Sequence, residues 1–281
     1  MLSIIIPFYN EKEGLAEIVR RTGEACRELD TETEIILVDD GSTDGSAETI
    51  EKGPETCILR HHKNRGYGRA IQTGLEKATG EWVAIIDADG TYRPADLAPL
   101  WNQRDRADMV VAARERKGPT LRRPATWFLR VLAGFLTAEK IPDLNSGLRL
   151  FRRDLAVRYR GLFPDGFSLT TTITLAFLSN GHTILYHPIT YMARKGKSKI
   201  RPIHDTCSFL LLIIRMILFF NPIKVLIPIS ILLFLAATLV MFVSFFHGRV
   251  MDVTVSILYM LSLHIAVVGF LADLIVRRTK Q

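Results

Sequence analysis

In the segment VAIIDADGTYRP, residues 83–94, four apolar residues run directly into Asp87 and Asp89. The apolar run reads as a buried strand. Two carboxylates at its end repel each other and are costly to bury. A hard divalent cation answers both problems. Mg2+ and Mn2+ take oxygen ligands, and Mg2+ is usually held by one or two carboxylates together with substrate phosphates. Asp87 and Asp89 are therefore candidate metal ligands at a diphosphate site, with Asp89 as the direct contact and Asp87 shaping the site.

Other polar clusters also follow apolar runs. LSIIIP (2–7) runs into Phe8-Tyr9-Asn10-Glu11, and EIILVD (34–39) runs into Asp40-Gly41-Ser42. Taken singly, each has a plain explanation, since NE before a helix and DDGSTDG are ordinary caps and turns. An Asp-X-Asp alone is equally unspecific. Three such clusters, at the ends of the first, second and fourth strands, are far more specific, because in a parallel sheet they share one edge, where ligands of open α/β sheets bind.

The elements that position them alternate. Strands are expected at 2–7, 34–39, 56–61, 81–87 and 107–113, and helices at 12–29 and 66–80, with another opening in STDGSAETI. This alternation predicts an α/β fold with a mostly parallel sheet. Further on, helices are expected around 124–137 and 169–179, with strands near 147–151 and 183–192.

The chain has 281 residues, and its apolar content of 48% is unevenly spread. Residues 225–246 carry no charge, and 253–276 carry only Asp273. Each run is long enough to cross a hydrocarbon core of about 30 Å as a helix. Pro228 is placed in the first turn of the first span, where it is tolerated. Residues 201–222 are apolar but contain Asp205 and Arg215, and read as an amphipathic helix in the membrane interface. The expected organisation is thus a domain over 1–200, an interfacial helix over 201–222 and a hairpin of two spans over 223–281. The N-terminal run MLSIIIPFYNE lacks the features of a signal peptide. Basic residues crowd 194–224 and recur at 277–280, while the loop between the spans has one Arg and one Asp. The positive-inside rule then places the first domain and both termini in the cytoplasm. The formal charge of +7 has nucleic acid as one reading. Its placement beside the spans favours anionic lipid or a phosphorylated lipid instead. The three cysteines, Cys26, Cys57 and Cys207, form no metal spacing.

The stretches IIIPFYNE, ILVDDGSTDGS, NRGYGRAIQTGLEKATGEWVAIIDADG and DLNSGLRLFRRD resemble the family 2 glycosyltransferases with the GT-A fold, a Rossmann-like nucleotide-diphospho-sugar transferase domain. The segment YMARKGKSKIRP before a hairpin is similar to the polyprenyl-phosphate glycosyltransferases, a group that includes dolichyl-phosphate mannose synthase. The resemblance implies a membrane-bound, inverting, hexosyltransferase-type enzyme of a bacterial or archaeal cytoplasmic membrane. Its donor would be a UDP- or GDP-linked sugar, its acceptor a polyprenyl phosphate (undecaprenyl or dolichyl), and its cofactor Mg2+ or Mn2+. The resemblance also assigns residues. Pro7, Tyr9 and Glu11 match the motif that holds base and ribose, and Asp40, with Val38 beside it, matches the residue that reads the base. Asp87, Ala88 and Asp89 match the nucleotide-sugar and metal motif. Arg114 matches a basic residue near the diphosphate, and Arg194 and Lys199 match basic residues that clamp phosphate. In one departure, some relatives carry Gln two residues after the second acid, as a further metal ligand. Here Thr91 stands at that place, so that a water or the Thr hydroxyl would serve.

The acceptor class follows from a separate consideration. An alcohol acceptor needs a general base, usually a carboxylate, whereas a lipid phosphate is already ionised at neutral pH. The second half of the chain has no ED pair of that kind, and TTTIT (170–174) contains no acid. It does supply Arg122, Arg123 and Arg130 beside an expected helix, and Lys197, Lys199 and Arg201 before the interfacial segment. Arg122, Arg123, Arg194 and Lys199 are the candidate acceptor-phosphate residues, with a solvated or lipid-facing charge run as the plain alternative. Two rival functions stay open: transfer to another lipid or saccharide acceptor, and a non-catalytic membrane module that binds a sugar nucleotide. Homo-oligomerisation is also left open.

Overall fold

The protein is described from a computed structural model. The described residues are 1–50, 53, 55–115, 131, 133–134, 137, 139–166, 168–192, 218–219, 221–246 and 252–279. The chain divides into two compact units, Met1–Leu210 and Leu211–Gln281.

The first unit is built on a seven-stranded sheet in the order β3-β2-β1-β4-β6-β5-β7. Its strands are β1 (Leu2–Phe8), β2 (Thr33–Asp39), β3 (Thr56–Arg60), β4 (Trp82–Ile85), β5 (Met109–Arg114), β6 (Arg149–Arg152) and β7 (Ile184–Ile189). β1 pairs in parallel with β2 and β4, β2 with β3, and β5 with β7. β6 alone is inverted, antiparallel to both β4 and β5.

Alternation along each strand sends side chains to two cores. Ile4, Ile6, Ile35 and Leu37 join one cluster with Leu15 and Ile18 of helix α1 (Leu15–Arg27). Ile5, Ile36 and Val38 join the other, with Ile71 and Leu75 of α2 (Tyr67–Lys77) and Leu169, Ile173 and Phe177 of α3 (Leu169–Ser179). Helices thus cover both faces, which is why the central strands are apolar on both sides.

Three expectations change. The helix expected to open in STDGSAETI is only a short 3-10 turn, Ala47–Thr49. Its capping residues serve a neighbouring loop instead: Asp44 accepts from the Lys12 amide at 3.1 Å, and Ser46 Oγ accepts from the Glu11 amide at 2.9 Å. The strands expected near 183–192 form a single strand, β7. The fourth strand ends two residues early, because its register with β1 stops at Ile5↔Ile85. Asp87 therefore lies in a loop and not in the strand.

The second unit contains two helices long and apolar enough to cross a membrane, α4 (Ile223–Phe246) and α5 (Asp252–Thr279). α4 starts earlier than expected, which puts Pro228 inside the helix and not in its first turn. The buried residues of α4 are Ser230, Ala237 and Ser244, seven residues apart. Small residues at that spacing let two helices approach closely. Across the seam, Ser230 Oγ donates to the Ser262 carbonyl at 2.8 Å, and Ser262 Oγ returns a bond to the Ser230 carbonyl at 2.9 Å. The helix expected around 124–137 and the interfacial helix of 201–222 lie largely outside the described residues.

Candidate functional site

The site gathers at the carboxyl edge of β1, β2 and β4. The loops after β1 and β2 are stitched together. Asn10 donates its amide to Ser42 Oγ at 3.0 Å, and its side-chain oxygen accepts from the Thr43 amide at 2.9 Å. Asn10 has φ 51°, the one positive value among the described non-glycine residues. Asn adopts that conformation more readily than most residues, because its short side chain can bond locally. Tyr9 and Glu11 are half-buried beside this loop, and Pro7 is buried opposite Val38.

Asp40 is almost fully buried, and its carboxylate is occupied from within the fold. It accepts the amides of Arg65 and Gly66, each at 2.8 Å, and lies 2.7 Å from His61 Nδ1. Those amides immediately precede α2, so Asp40 fixes where that helix begins. Gly66 has φ 101°, and a Cβ there would fall 2.4 Å from the Asp165 carbonyl oxygen. No other residue type fits that backbone and that space together. Val38 is fully buried in the core with Ile5 and Ile36. Its side chain is a packing element ahead of Asp40 in the chain.

Beyond β4, Asp87 is clamped on two sides. Tyr67, the first residue of α2, donates its hydroxyl to Asp87 Oδ1 at 2.7 Å. Asp87 Oδ2 lies where a side chain at 147 would begin, only 1.8 Å from the position of a Gly147 Cβ. Burial, and then the charge of Asp89, push the Asp87 carboxyl up to about 6. Thr91 is fully buried, and its hydroxyl and amide both donate to Asp89 Oδ1, at 2.6 and 3.1 Å. The Thr hydroxyl, one of the two stand-ins expected for the missing Gln ligand beside a water, thus orients Asp89. Ala88, between the acids, is buried in the core.

The other half of the site comes from the segment before β6. Because β6 is inverted, its first residue Arg149 pairs with Ile85, the last of β4. Residues 143–148 therefore arrive at the same edge as Asp87. Asp143 accepts three hydrogen bonds from Arg114, from Nε at 2.7 Å, Nη2 at 2.8 Å and the backbone amide at 3.3 Å. Burial works to raise the Asp143 carboxyl, but the Arg114 hydrogen bonds and charge outweigh it and hold the carboxyl below its ordinary range. The guanidinium of Arg114 lies 5.3 Å from the Tyr191 ring centroid. Tyr191 makes an edge contact with Tyr92 at 5.4 Å, and the Tyr92 hydroxyl accepts the Gly147 amide at 2.7 Å.

Arg149 is fully buried and has no carboxylate partner among the described ion pairs. Its guanidinium donates to the carbonyls of Ser146 at 2.6 Å and Thr170 at 2.8 Å, and to Thr174 Oγ1 at 3.1 Å. Burial pushes its pKa down. It ties the loop beside Asp87 to α3.

The structure thus brings Glu11, Asp40, Asp87, Asp89 and Arg114 to one edge of the sheet. Arg122, Arg123, Arg194 and Lys199 lie outside the described residues. Tyr67, Asp143, Gly147 and Arg149 are additions that no sequence motif singled out as site residues, and Thr91, noted in the sequence as a possible metal-shell residue, is here a partner of Asp89. Among the described residues, no group of three or more His, Cys, Asp or Glu gathers at one point. A two-carboxylate set fits a hard cation that completes its shell with ligand oxygens. Burial first, and the Asp89 charge second, raise the Asp87 carboxyl, and a bound cation would offset both.

Comparison with known proteins agrees with this architecture. The sequence is 35% identical over 187 residues to the undecaprenyl-phosphate 4-deoxy-4-formamido-L-arabinose transferase of Pseudomonas fluorescens (strain SBW25), covering 61% of this chain and 55% of that protein. It is 34% identical over 161 residues to the protein of the same name from Salmonella choleraesuis (strain SC-B67), covering 55% of this chain and 49% of that one. The chain spans about half the length of these curated relatives. Among solved structures, glucosyl-3-phosphoglycerate synthase from Mycobacterium tuberculosis, with Mn2+, UDP and phosphoglyceric acid, aligns with a TM-score of 0.62 at 17% identity, over 77% of this chain and 78% of that one. Its complex with Mg2+ and UDP aligns with a TM-score of 0.61 at 15% identity, over 77% and 79%. These likenesses show the GT-A fold. Glycosyl transferase family 2 matches residues 3–160, more than half of the sequence; the chain belongs to that family.

Proposed function

We propose that the protein transfers a sugar from a nucleotide-diphosphate donor to a polyprenyl phosphate at a membrane surface. The observation that carries this reading is the acid pair Asp87–Asp89 set beside the Arg114–Asp143 clamp at one sheet edge. The acceptor class draws on the curated relatives, which are named for undecaprenyl phosphate.

Tyr9 and Glu11 hold the nucleoside, and Asp40 shapes the same pocket by fixing the turn before α2. Asp89, with Asp87 behind it, would hold Mg2+ or Mn2+ with the diphosphate; when bound, the cation offsets the charge of the leaving group. Arg114, oriented by Asp143, faces the same diphosphate. Arg122, Arg123, Arg194 and Lys199 bind the acceptor phosphate. An oxygen of that phosphate forms a bond to the anomeric carbon from the side opposite the donor diphosphate. The bond from the anomeric carbon to the donor oxygen breaks, and the nucleoside diphosphate leaves with the electron pair. The configuration inverts. No proton has to be removed, because a phosphomonoester is mostly dianionic at neutral pH. The α4–α5 hairpin spans the membrane with the catalytic unit and both termini on the cytoplasmic side.

The test uses full-length protein in detergent, radiolabelled UDP- and GDP-sugars, undecaprenyl phosphate and MnCl2. Label should enter the lipid fraction with one donor. Asp89→Asn should remove that labelling while the thermal melt stays cooperative. Equal labelling by Asp89→Asn would overturn the site assignment, and binding of donor without any transfer would overturn the activity.

A further inference from the structure

The two acids of the site are each held by a neutral hydroxyl from a different element. Tyr67 reaches Asp87 Oδ1 from the first turn of α2, and Thr91 reaches Asp89 Oδ1 from the loop after β4. The two hydroxyls are differently anchored. Tyr67 depends on the Arg65–Gly66 turn that Asp40 grips. Thr91 is fully buried, and its carbonyl accepts the Met192 amide at 3.1 Å.

The chemistry of the donors matters. A Lys or Arg at either place would cancel the carboxylate charge that a divalent cation needs. A hydroxyl fixes the rotation of the carboxylate and leaves its charge in place. Gly147 completes the arrangement at Asp87, since its bare backbone admits Oδ2 where any Cβ would clash.

We propose that Tyr67 and Thr91 are paired positioning residues, one hydroxyl per carboxylate, which set the orientation in which Asp87 and Asp89 meet a divalent cation and its diphosphate. The proposal rests on the reading of this edge as a cation-diphosphate site. It also accounts for Thr at position 91: the residue serves the acid from behind and does not have to reach the cation itself.

Binding of MnCl2, followed by the electron paramagnetic resonance signal of free Mn2+ with saturating UDP or GDP, tests this without turnover. Tyr67→Phe and Thr91→Val each remove one hydroxyl and little else. Both should weaken Mn2+ affinity by about tenfold, the lower end of the range for residues that orient metal ligands. Thr91→Ser, which restores the hydroxyl, should recover most of that loss. Thermal melts without Mn2+ separate this from a loss of fold. Unchanged Mn2+ affinity in Tyr67→Phe or in Thr91→Val would overturn the pairing, as would Thr91→Ser binding no better than Thr91→Val. If the original protein binds Mn2+ and nucleotide yet labels no lipid, the proposed transfer fails, and these affinities still decide the positioning claim.

Discussion

The parallel strands β1, β2 and β4 and the inverted strand β6 furnish the same sheet edge by opposite routes. Each parallel strand delivers its polar residues after its own carboxyl end: Glu11 after β1, Asp40 after β2, Asp87 and Asp89 after β4. β6 runs the other way, so the residues ahead of it, Asp143 to Gly147, reach that edge. The first group supplies the acids of the candidate site. The second supplies what holds and balances them, through the Asp143–Arg114 pair, the Gly147 contact and the buried Arg149. A site built from one direction of chain alone would leave Asp87 and Arg114 without their supports.

The largest test of this division is Gly147→Ala. Its Cβ would fall within 1.8 Å of Asp87 Oδ2, so the carboxylate must move. A displacement of about 1 Å at a reacting centre costs on the order of 100-fold in rate. Initial rates of lipid labelling should show a loss of that size, with nucleotide binding weakened in step. A rate near that of the original protein would mean that Asp87 tolerates displacement and that the β6 side is not its support.

Asp143→Asn should come next. It removes the charge that orients Arg114 and leaves a largely buried guanidinium with a weaker partner. Breaking one side of a buried ion pair costs about 3 kcal/mol, and chemical denaturation should report a loss of that order. Donor affinity should fall by roughly tenfold, the value of one charge-assisted hydrogen bond. A stable variant with full donor affinity would separate Arg114 from the diphosphate.

Sequence reasoning reached the first group because apolar runs ending in acids are local signals. It missed the second for a physical reason. Nothing in GLRLF shows the direction of its strand, and a parallel β6 would have put Asp143 and Gly147 at the far edge. Tyr67 was hidden differently, since its partner is 20 residues away and its own position reads as an ordinary helix start. The hairpin was legible in outline from composition, while its Ser230–Ser262 seam depends on how the two helices face each other.

A smaller effect is the pH dependence of Asp87. Its carboxyl titrates in the folded protein at about 6, above its ordinary value of 3.8. The folded state therefore binds the proton more tightly than the unfolded chain. The resulting stabilisation is full below the unfolded pKa and is lost as pH rises through about 6. Cation binding needs the charged carboxylate, so the rise in melting temperature given by MnCl2 should be larger at pH 7.5 than at pH 5. Asp87→Asn should remove this pH dependence. An identical MnCl2 shift at both pH values would show that Asp87 does not sense the cation.

The smallest expected effect lies in the hairpin. Ser230→Ala removes one interhelical hydrogen bond and keeps the small size that close packing needs. Such bonds within membranes average about 0.6 kcal/mol. A shift of that order in detergent unfolding, with lipid labelling unchanged, would confine the seam to a structural role. A large loss of labelling would instead tie the hairpin to the chemistry.

The central claim, transfer to a lipid phosphate without a dedicated base, is tested most directly by competing acceptors. Undecaprenyl phosphate and undecaprenol are offered together in one vesicle preparation, with the radiolabelled donor and MnCl2, and the products are separated by charge. Label should enter the anionic product alone, with initial rates nearly constant above the second phosphate pKa of about 6. Label in the neutral undecaprenol product would contradict the account, because an alcohol acceptor requires a general base that the proposed mechanism does not contain.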